Sequence, residues 1–483
     1  MNNSRSFFKA IASIVCFSVL FGMFGSCGKD HDPIPLKDST KIITYFTLKD
    51  AKGASLDTTD MSVTIKADSI LIGVPFGTDL TQLMPVINYK GVILTPGTGG
   101  QVFDFSNPVI YTVMAEDNST HKYVVVVKKR PIRNMVYVGG NNGKFYALDA
   151  VTGTLKWDFT STKAFSYSSP AFKDSVVFVG GIDNYVYAFH ALTGKVLWKF
   201  LTGSTGIEAP VTVDGNTVYV GCNDDVFYAL DAQTGLEKWK VFTQGNISTG
   251  AVVANGTVYF GCSDSKVYAL NAETGLLKWS YTTGAMINAS GPAVTGGVLY
   301  VGSRDNYLWA INATTGVPIW KYNCGVSLEM SSPTVVDGVV YIGGWYDVSN
   351  FNKAGSLFAI NAATGTLVWE KLPNTGFSSS PLVTAGMLYI SADGGYFHAI
   401  NAGTGNIVWS KQIYPNGADA TVADGRVFVG GGGYLGYFHA YNATTGTDKW
   451  QFSTNNTALD FSGPLVLDSL GKAHYPGSSG MAQ

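Results

Sequence analysis

The sequence predicts an all-β chain whose main body, residues 131–483, is an eight-bladed β-propeller with four antiparallel strands per blade. Three observations predict it. The phrase YALDAVTGTLKW at Tyr146–Trp157 returns seven more times in close variants, and the eight copies end at Trp157, Trp198, Trp239, Trp279, Trp320, Trp369, Trp409 and Trp450. The turn glycines of the copies, from Gly153 to Gly446, lie 40 or 41 residues apart, with one step of 49. A period of this size marks a propeller or a solenoid. Each copy also holds several short β-branched runs and no helical periodicity, which selects the propeller.

The physics of one copy explains its wording. Phe145–Asp149 and Thr154–Trp157 read as two strands joined by a turn at Thr152-Gly153, where glycine takes positive φ without a Cβ clash. Asp149, and the Asp or Asn replacing it at Asp231, Asn271, Asn312, Asn361, Asn401 and Asn442, has a short side chain that accepts hydrogen bonds from the turn's N–H groups. Only His190 breaks that series. Two further runs precede each hairpin, as in Pro210–Val213 and Thr217–Gly221. Each tryptophan is large enough to fill the wedge between neighbouring sheets, and the alanine of the motif (Ala147 and its equivalents) leaves room for it.

Residues 1–26 read as a lipoprotein signal peptide. Arg5 and Lys9 precede an apolar stretch from Ala10 to Phe24, and Gly25-Ser26-Cys27 follows, similar to the lipobox of bacterial lipoproteins. Cleavage before Cys27 and lipidation of its thiol would follow, with an ordinary secretory signal as the alternative. Residues 27–40 form a linker; Gly28–Asp32 resembles the short charged tags that send some Gram-negative lipoproteins to the cell surface, and Pro33 and Pro35 extend it.

Residues 41–130 lack the repeat. Met61–Lys66, Val109–Val113 and Tyr123–Val127 are strand-like and separated by turn-rich segments, which predicts a small β-sandwich. The stretch from Thr78 to Asp117 resembles the immunoglobulin-like N-terminal modules of bacterial surface lipoproteins, which implies spacing or adhesion. Asn118-Ser119-Thr120 has the glycosylation sequon and, in a bacterial lipoprotein, reads rather as a turn. Lys128–Pro131 is the expected hinge. The first copy then opens on Asn134–Gly140, the second strand of later blades. Its missing first strand appears after the last tryptophan, at Phe461–Val466, so a C-terminal strand should close the ring and leave no open edge. The tail after Gly471 has no place in this scheme.

The repeats resemble the pyrroloquinoline quinone (PQQ)-type propeller family, whose docking motif is Ala-x-Asp-x-x-Thr-Gly-x-x-x-Trp. Ala147, Asp149, Thr152, Gly153 and Trp157 match it, as do Ala229, Asp231, Thr234, Gly235 and Trp239. The resemblance spans about 340 residues. It implies the fold strongly and the function weakly, because the family holds both quinone-dependent dehydrogenases and a non-catalytic propeller lipoprotein of the outer-membrane β-barrel assembly machinery.

Against the dehydrogenases, alcohol-oxidising members carry adjacent cysteines, whereas Cys222, Cys262 and Cys324 are far apart. The blades are also near minimal length, with nothing large enough to roof a buried cofactor. Cys222 and Cys262 stand where other copies have Gly181, Ser303 and Gly344, which points to a tight small-residue site, with a disulfide or metal role as the alternative. The chain is 46% hydrophobic, 14% charged and has a formal net charge of −2, so it has no electrostatic footprint for nucleic acid.

Loops before each first strand and between second and third strands share one face, at the mouth of the central channel. Aligned on Pro170, Pro210, Ala251, Pro292, Pro333, Pro381, Ala420 and Pro464, the residues two before read Ser168, Glu208, Thr249, Ser290, Ser331, Ser379, Ala418 and Ser462, which suggests a hydrated channel lining. Four before, they diverge: Ser166, Gly206, Ile247, Asn288, Glu329, Phe377, Asn416 and Asp460. The single long step falls in the loop Gly344–Lys353 on the same face. Trp345 and Tyr346, with Glu329 and Phe377, are therefore the candidate partner or ligand patch, unless those rings only fold the loop back on its blade.

The expected function is a lipid-anchored, non-catalytic scaffold of the bacterial outer membrane, periplasmic or surface-facing. It would bind an envelope protein, peptide or glycan, with no catalytic residue, no metal and no cofactor. The alternative is a PQQ-dependent dehydrogenase with a reduced site, in which Glu208, Asn288, Glu329 and Asp460 would hold the quinone and calcium.

Overall fold

The computed structural model describes residues 36–56, 61–97, 100–165, 167–203, 205–347, 350–371, 376–414, 418–431, 436–453 and 462–476, with side chains left aside for 347–354. The signal segment 1–26, Cys27 and the charged tag lie outside these residues, as do Ser166, Asn416 and Asp460. Among the described residues the structure is all strand, turn and loop. The chain divides into two compact units, one ending at Lys128 and the other running from Lys129, with Pro75–Gly77 grouped with the second.

In the first unit, β1 (Ile42–Asp50) pairs antiparallel with β4 (Leu83–Lys90). A five-stranded sheet runs in the order β2 (Ser62–Ile65), β3 (Ser69–Val74), β7 (Thr120–Lys129), β6 (Val109–Met114), β5 (Ile93–Thr95). Alternation makes β3, β6 and β7 two-faced: Ile70, Ile72, Val74, Tyr111, Val113, Tyr123 and Val125 turn inward to meet Phe46 and Leu48. Phe46 and Tyr111 pack edge-on at 5.5 Å between centroids, a favoured arrangement of ring quadrupoles. The runs at Met61, Val109 and Tyr123 appear as β2, β6 and β7. The strands β1, β3, β4 and β5 carried no such distinct signal.

The second unit contains, among the described residues, seven four-stranded sheets and one of five strands. In chain order we number them sheet 1 (135–160 with 465–474), 2 (171–201), 3 (212–242), 4 (252–282), 5 (293–323), 6 (334–371), 7 (382–412) and 8 (420–453). Third strands such as Tyr185–His190 are buried on both faces because a neighbouring sheet covers each side. Outer strands such as Val196–Leu201 alternate between exposed and half-buried residues.

Tryptophan makes the joint between sheets. Trp157 lies opposite Ala147 across the strand pair, and the same pairing recurs in every sheet through Ala440 and Trp450. Each indole N–H donates to an alanine carbonyl of the next sheet at 2.8–3.2 Å, from Trp157 to Ala191 through to Trp409 to Ala443. The last, Trp450, returns to Ala150 of sheet 1 at 3.1 Å, so the docks form a closed cycle. The indole lies flat against the next turn glycine: a Cβ on Gly235, at φ +72°, would stand 2.6 Å from Trp198. Glycine is required there both by its backbone and by its neighbour. Asp149 accepts from the N–H groups of Val151 and Thr152 at 2.9 Å each, and Asn271 repeats the arrangement with Glu273 and Thr274.

Sheet 1 is completed from the far end of the chain. Leu465–Leu467 pairs antiparallel with Met135–Tyr137. The unplaced tail then adds a fifth strand, Ala473–His474, beside it. This strand lies inside the ring, where Lys472, His474 and Tyr475 form one wall of a cavity of about 980 Å³.

The candidate binding face at the channel mouth

The cavity wall differs from the expected hydrated lining. Its repeated element is one aliphatic position per first strand of sheets 3 to 8, Val213, Val253, Val294, Val335, Val383 and Val422, set among polar neighbours such as Thr212, Asp214, Thr295 and Thr334. The polar ring at Ser168, Thr249, Ser290, Ser331, Ser379 and Ser462 is fully buried instead. Each hydroxyl accepts the backbone N–H at or near the end of a second strand, as Ser168 does from Gly180 at 3.0 Å and Ser331 from Gly343 at 3.0 Å. Ser462 does so for Gly139 of sheet 1 across the ring closure, at 3.3 Å. These hydroxyls staple loop to strand, since a buried N–H must find an acceptor.

Two further expectations are corrected by register. In sheet 3 the pairing Thr212↔Tyr219 matches Ala171↔Phe178 of sheet 2, so Ala209, not Glu208, is the counterpart of Ser168. Glu208 lies one place earlier and is half-buried. The divergent ring is also not uniformly exposed. Ile247 is 0% and Phe377 2% exposed, and both plug the space over a glycine of the neighbouring sheet, Gly221 and Gly343. Phe377 is a core residue and cannot anchor a partner from the surface.

One repeated backbone bond does place a variable side chain per sheet at the mouth. The N–H groups of Ile182, Asn223, Ser263, Arg304, Trp345 and Asp393 each donate to the preceding loop, at Ala164, Gly206, Asn246, Met286, Ser327 and Gly376. From this position side chains reach adjacent loops: Asn223 accepts from Ser248 at 3.1 Å, Arg304 Nε stands 3.7 Å from Glu329, and Asp393 accepts from Ser378 at 2.7 Å. Sequence reading missed Arg304 and Asp393; the signal was the second residue after the second-strand glycine (Ser391 in sheet 7), aligned across copies.

Sheets 5 to 7 form the most chemically varied arc. The long loop of sheet 6 carries a small extra ladder, Tyr346–Asp347 with Asn350–Ala354. Ser327 pairs with it through both backbone groups, donating to Tyr346 and accepting from Trp345. Trp345 and Tyr346 are half-buried and pack edge-on at 4.3 Å. Glu329 is 5% exposed. Burial raises its carboxyl above the usual range, with Arg304 and Ser327 pulling it partly back. The Asp393 carboxyl is raised in the same way by burial and lowered by Ser378 and Trp345. Ser327 Oγ lies near enough to Glu329 to act on it, yet is buried without a well-formed hydrogen bond.

Other mouth acids serve the fold. Asp183, Asp224 and Asp264 each accept from the tyrosine four residues later, at 2.5–2.7 Å. Of the residues named for a quinone and calcium site, Glu208, Asn288 and Glu329 come from sheets 3, 5 and 6. Among the described residues no group of three His, Cys, Asp or Glu side chains could hold a metal ion. Cys222 and Cys262 are fully buried and unbridged; burial pushes both thiols up to about 12.

Closed tryptophan docks, a glycine turn under each indole and a shared loop face define a β-propeller of PQQ-like repeats. The model of the family described as outer membrane protein assembly factor BamB matches residues 132–209, 286–372 and 353–467, just over half of the chain, and the chain belongs to that family. Residues 43–127 match the family described as SGBP, N-terminal.

Among solved structures, BamB from Moraxella catarrhalis is 19% identical with a TM-score of 0.53, over 65% of this chain and 93% of that one. A europium-containing methanol dehydrogenase is 16% identical with a TM-score of 0.54, over 64% and 81%. A quinohemoprotein alcohol dehydrogenase from Pseudomonas putida HK5 is 16% identical with a TM-score of 0.52, over 73% and 74%. These likenesses are of fold alone. No curated protein matches the chain.

Proposed function

We propose that the eight sheets are the blades of one closed propeller, carried behind an immunoglobulin-like module and a lipid on Cys27, and that the whole is a non-catalytic binding scaffold of the bacterial outer membrane. The observation that carries this reading is the channel mouth. A rigid repeated backbone bond there holds a different side chain on each of sheets 2 to 7, while the repeated acids are taken up by structural hydrogen bonds. Membership of a family described by an outer-membrane assembly factor, and the N-terminal match, support an envelope location and a partner that is protein or glycan.

Two measurements test it. Affinity capture from cell envelopes should retain a partner, and Trp345→Ala should weaken that retention. Titration with PQQ and Ca²⁺ should leave thermal stability unchanged, because a ligand bound only by the folded chain raises it. A rise in melting temperature together with dye reduction would sink the scaffold reading in favour of the dehydrogenase.

A further inference from the structure

We propose that the turn-end rim of sheets 5 to 7 is the interface at which two copies of this chain pair about a two-fold axis, independently of what the channel mouth binds.

This rim departs from the rest of the repeat. Val317, Ile319, Leu367, Val368, Ile407 and Val408 lie between a turn glycine and its tryptophan, and each is 42–60% exposed. In sheets 1, 3, 4 and 8 the residue before the tryptophan is instead Lys156, Lys238, Lys278 or Lys449, and sheet 2 flanks Leu197 with Lys195 and Lys199. In sheets 1 and 3 that lysine pairs with the aspartate of the turn, Lys156 with Asp149 at 3.1 Å and Lys238 with Asp231 at 3.9 Å. Sheets 5, 6 and 7 lack both members: Asn312, Asn361 and Asn401 replace the aspartate, and Ile319, Val368 and Val408 the lysine. The turn needs only an acceptor, which asparagine supplies, so the exposed aliphatic residues answer no demand of the fold. They are also continuous. A Cβ on Gly365 or Gly405 would stand 2.7 or 3.0 Å from Trp320 or Trp369, so each outer strand abuts the turn of the next sheet. A contiguous apolar surface of this kind marks an interaction site.

Charge selects the occupant. Lys321 and Tyr322 are successive residues of one outer strand and point to opposite faces. Lys321 lies over Tyr307 and Trp309 at 4.3 and 4.7 Å, on the side where Trp309 meets Tyr281 of sheet 4. Tyr322 faces Phe358 of sheet 6, and Glu370 of sheet 6 acts on it there. Lysine and glutamate thus flank the outer strand of sheet 5, and neither has an ion pair among the described residues. A two-fold axis between them sets Lys321 of each copy opposite Glu370 of the other, with Ile319 and Val368 meeting between. Such self-complementarity is what an isologous dimer needs. A bilayer would call for aromatic rings at the border of the patch, whereas the six exposed residues are aliphatic and Glu370 stands among them.

The test is sedimentation velocity of the purified full-length chain in a non-ionic detergent, which should show a dimer in the micromolar range. Ile319→Lys and Val368→Lys copy Lys156 and Lys238, so both should melt like the wild type while weakening dimerisation by at least about tenfold; Leu155→Lys, on sheet 1, should not. Lys321→Glu and Glu370→Lys should each weaken it, and the two together should restore it. A monomer at every concentration, a dimer unchanged by Ile319→Lys and Val368→Lys, or a charge exchange that stays monomeric overturns the inference. A monomeric chain that floats with phosphatidylcholine vesicles after Cys27→Ala, and no longer does so with Val368→Lys, would give the rim to a lipid surface and overturns it too.

Discussion

The two ends of the same sheets behave differently. At the turn end every copy carries a glycine at positive φ and an indole from the preceding sheet, and every copy but that of His190 an Asx turn. At the mouth end the backbone bond is repeated but the side chain it presents is not, running from Ile182 through Arg304 to Asp393. One end is spent on holding neighbouring sheets together, which only one arrangement of atoms does well. The other is free to vary because its structural demands are met by backbone and buried serines.

That contrast can be broken or sharpened by mutation. The largest effect should come from Trp239→Ala, which empties the space between Tyr219, Phe227 and the next turn and removes the bond to Ala272. A loss of about 3–5 kcal/mol is expected for truncating a tryptophan packed in this way, read as a lower melting temperature. Gly235→Ala should cost less. The left-handed backbone contributes roughly 1–2 kcal/mol, and displacement of Trp198 adds to it. Gly256→Ala, at φ +67° with nothing within 4 Å of its Cβ, should show the backbone part alone, so equal losses at the two glycines would mean that the docks contribute little.

A pH scan separates the ends further. Burial lowers His439 to about 4, with Asp448 opposing and Lys411 adding, and burial also lowers His398. A histidine held neutral contributes full stability above its unfolded value near 6.5. That stability is lost as pH falls from there toward about 4, where the unfolded chain binds protons more readily. His439→Phe, which copies Phe358 of sheet 6, should flatten the decline; an unchanged slope would place its origin elsewhere. Glu329 has the opposite sign. Its raised folded pKa makes the ionised form a burden at neutral pH, so Glu329→Gln should raise the melting temperature slightly at pH 7. The smallest effect should be chemical: at pH 8 a thiol reagent should leave Cys222 and Cys262 unmodified in the folded chain.

The turn end was almost wholly legible. Alanine, Asp or Asn, glycine and tryptophan recur at fixed offsets because each meets a short-range steric or hydrogen-bonding demand, and Phe461–Val466 could be recognised as the missing strand of sheet 1. The mouth was only partly legible. Aligning on Pro210 slipped sheet 3 by one residue, because Pro210 stands two residues before its first strand whereas Pro170 stands one before, and that moved Glu208 into a ring that Ala209 occupies. Serines at Ser168 and Ser331 looked solvent-facing because polarity alone does not say whether a hydroxyl meets water or a backbone N–H. Phe377 looked exposed for the converse reason. Arg304 and Asp393 were overlooked because their position is defined by a backbone bond between loops and stands out only when the copies are aligned just past the second strand.

Closure through Leu465–Leu467 has a consequence for biosynthesis. A chain made from its N-terminus must hold Met135–Tyr137 without an inner neighbour until Leu465–Leu467 has emerged. The wheel stays a horseshoe with two raw margins for most of its synthesis, and a premature stop before Leu465 would leave it so permanently, offering unpaired strands to whatever extended segment comes near.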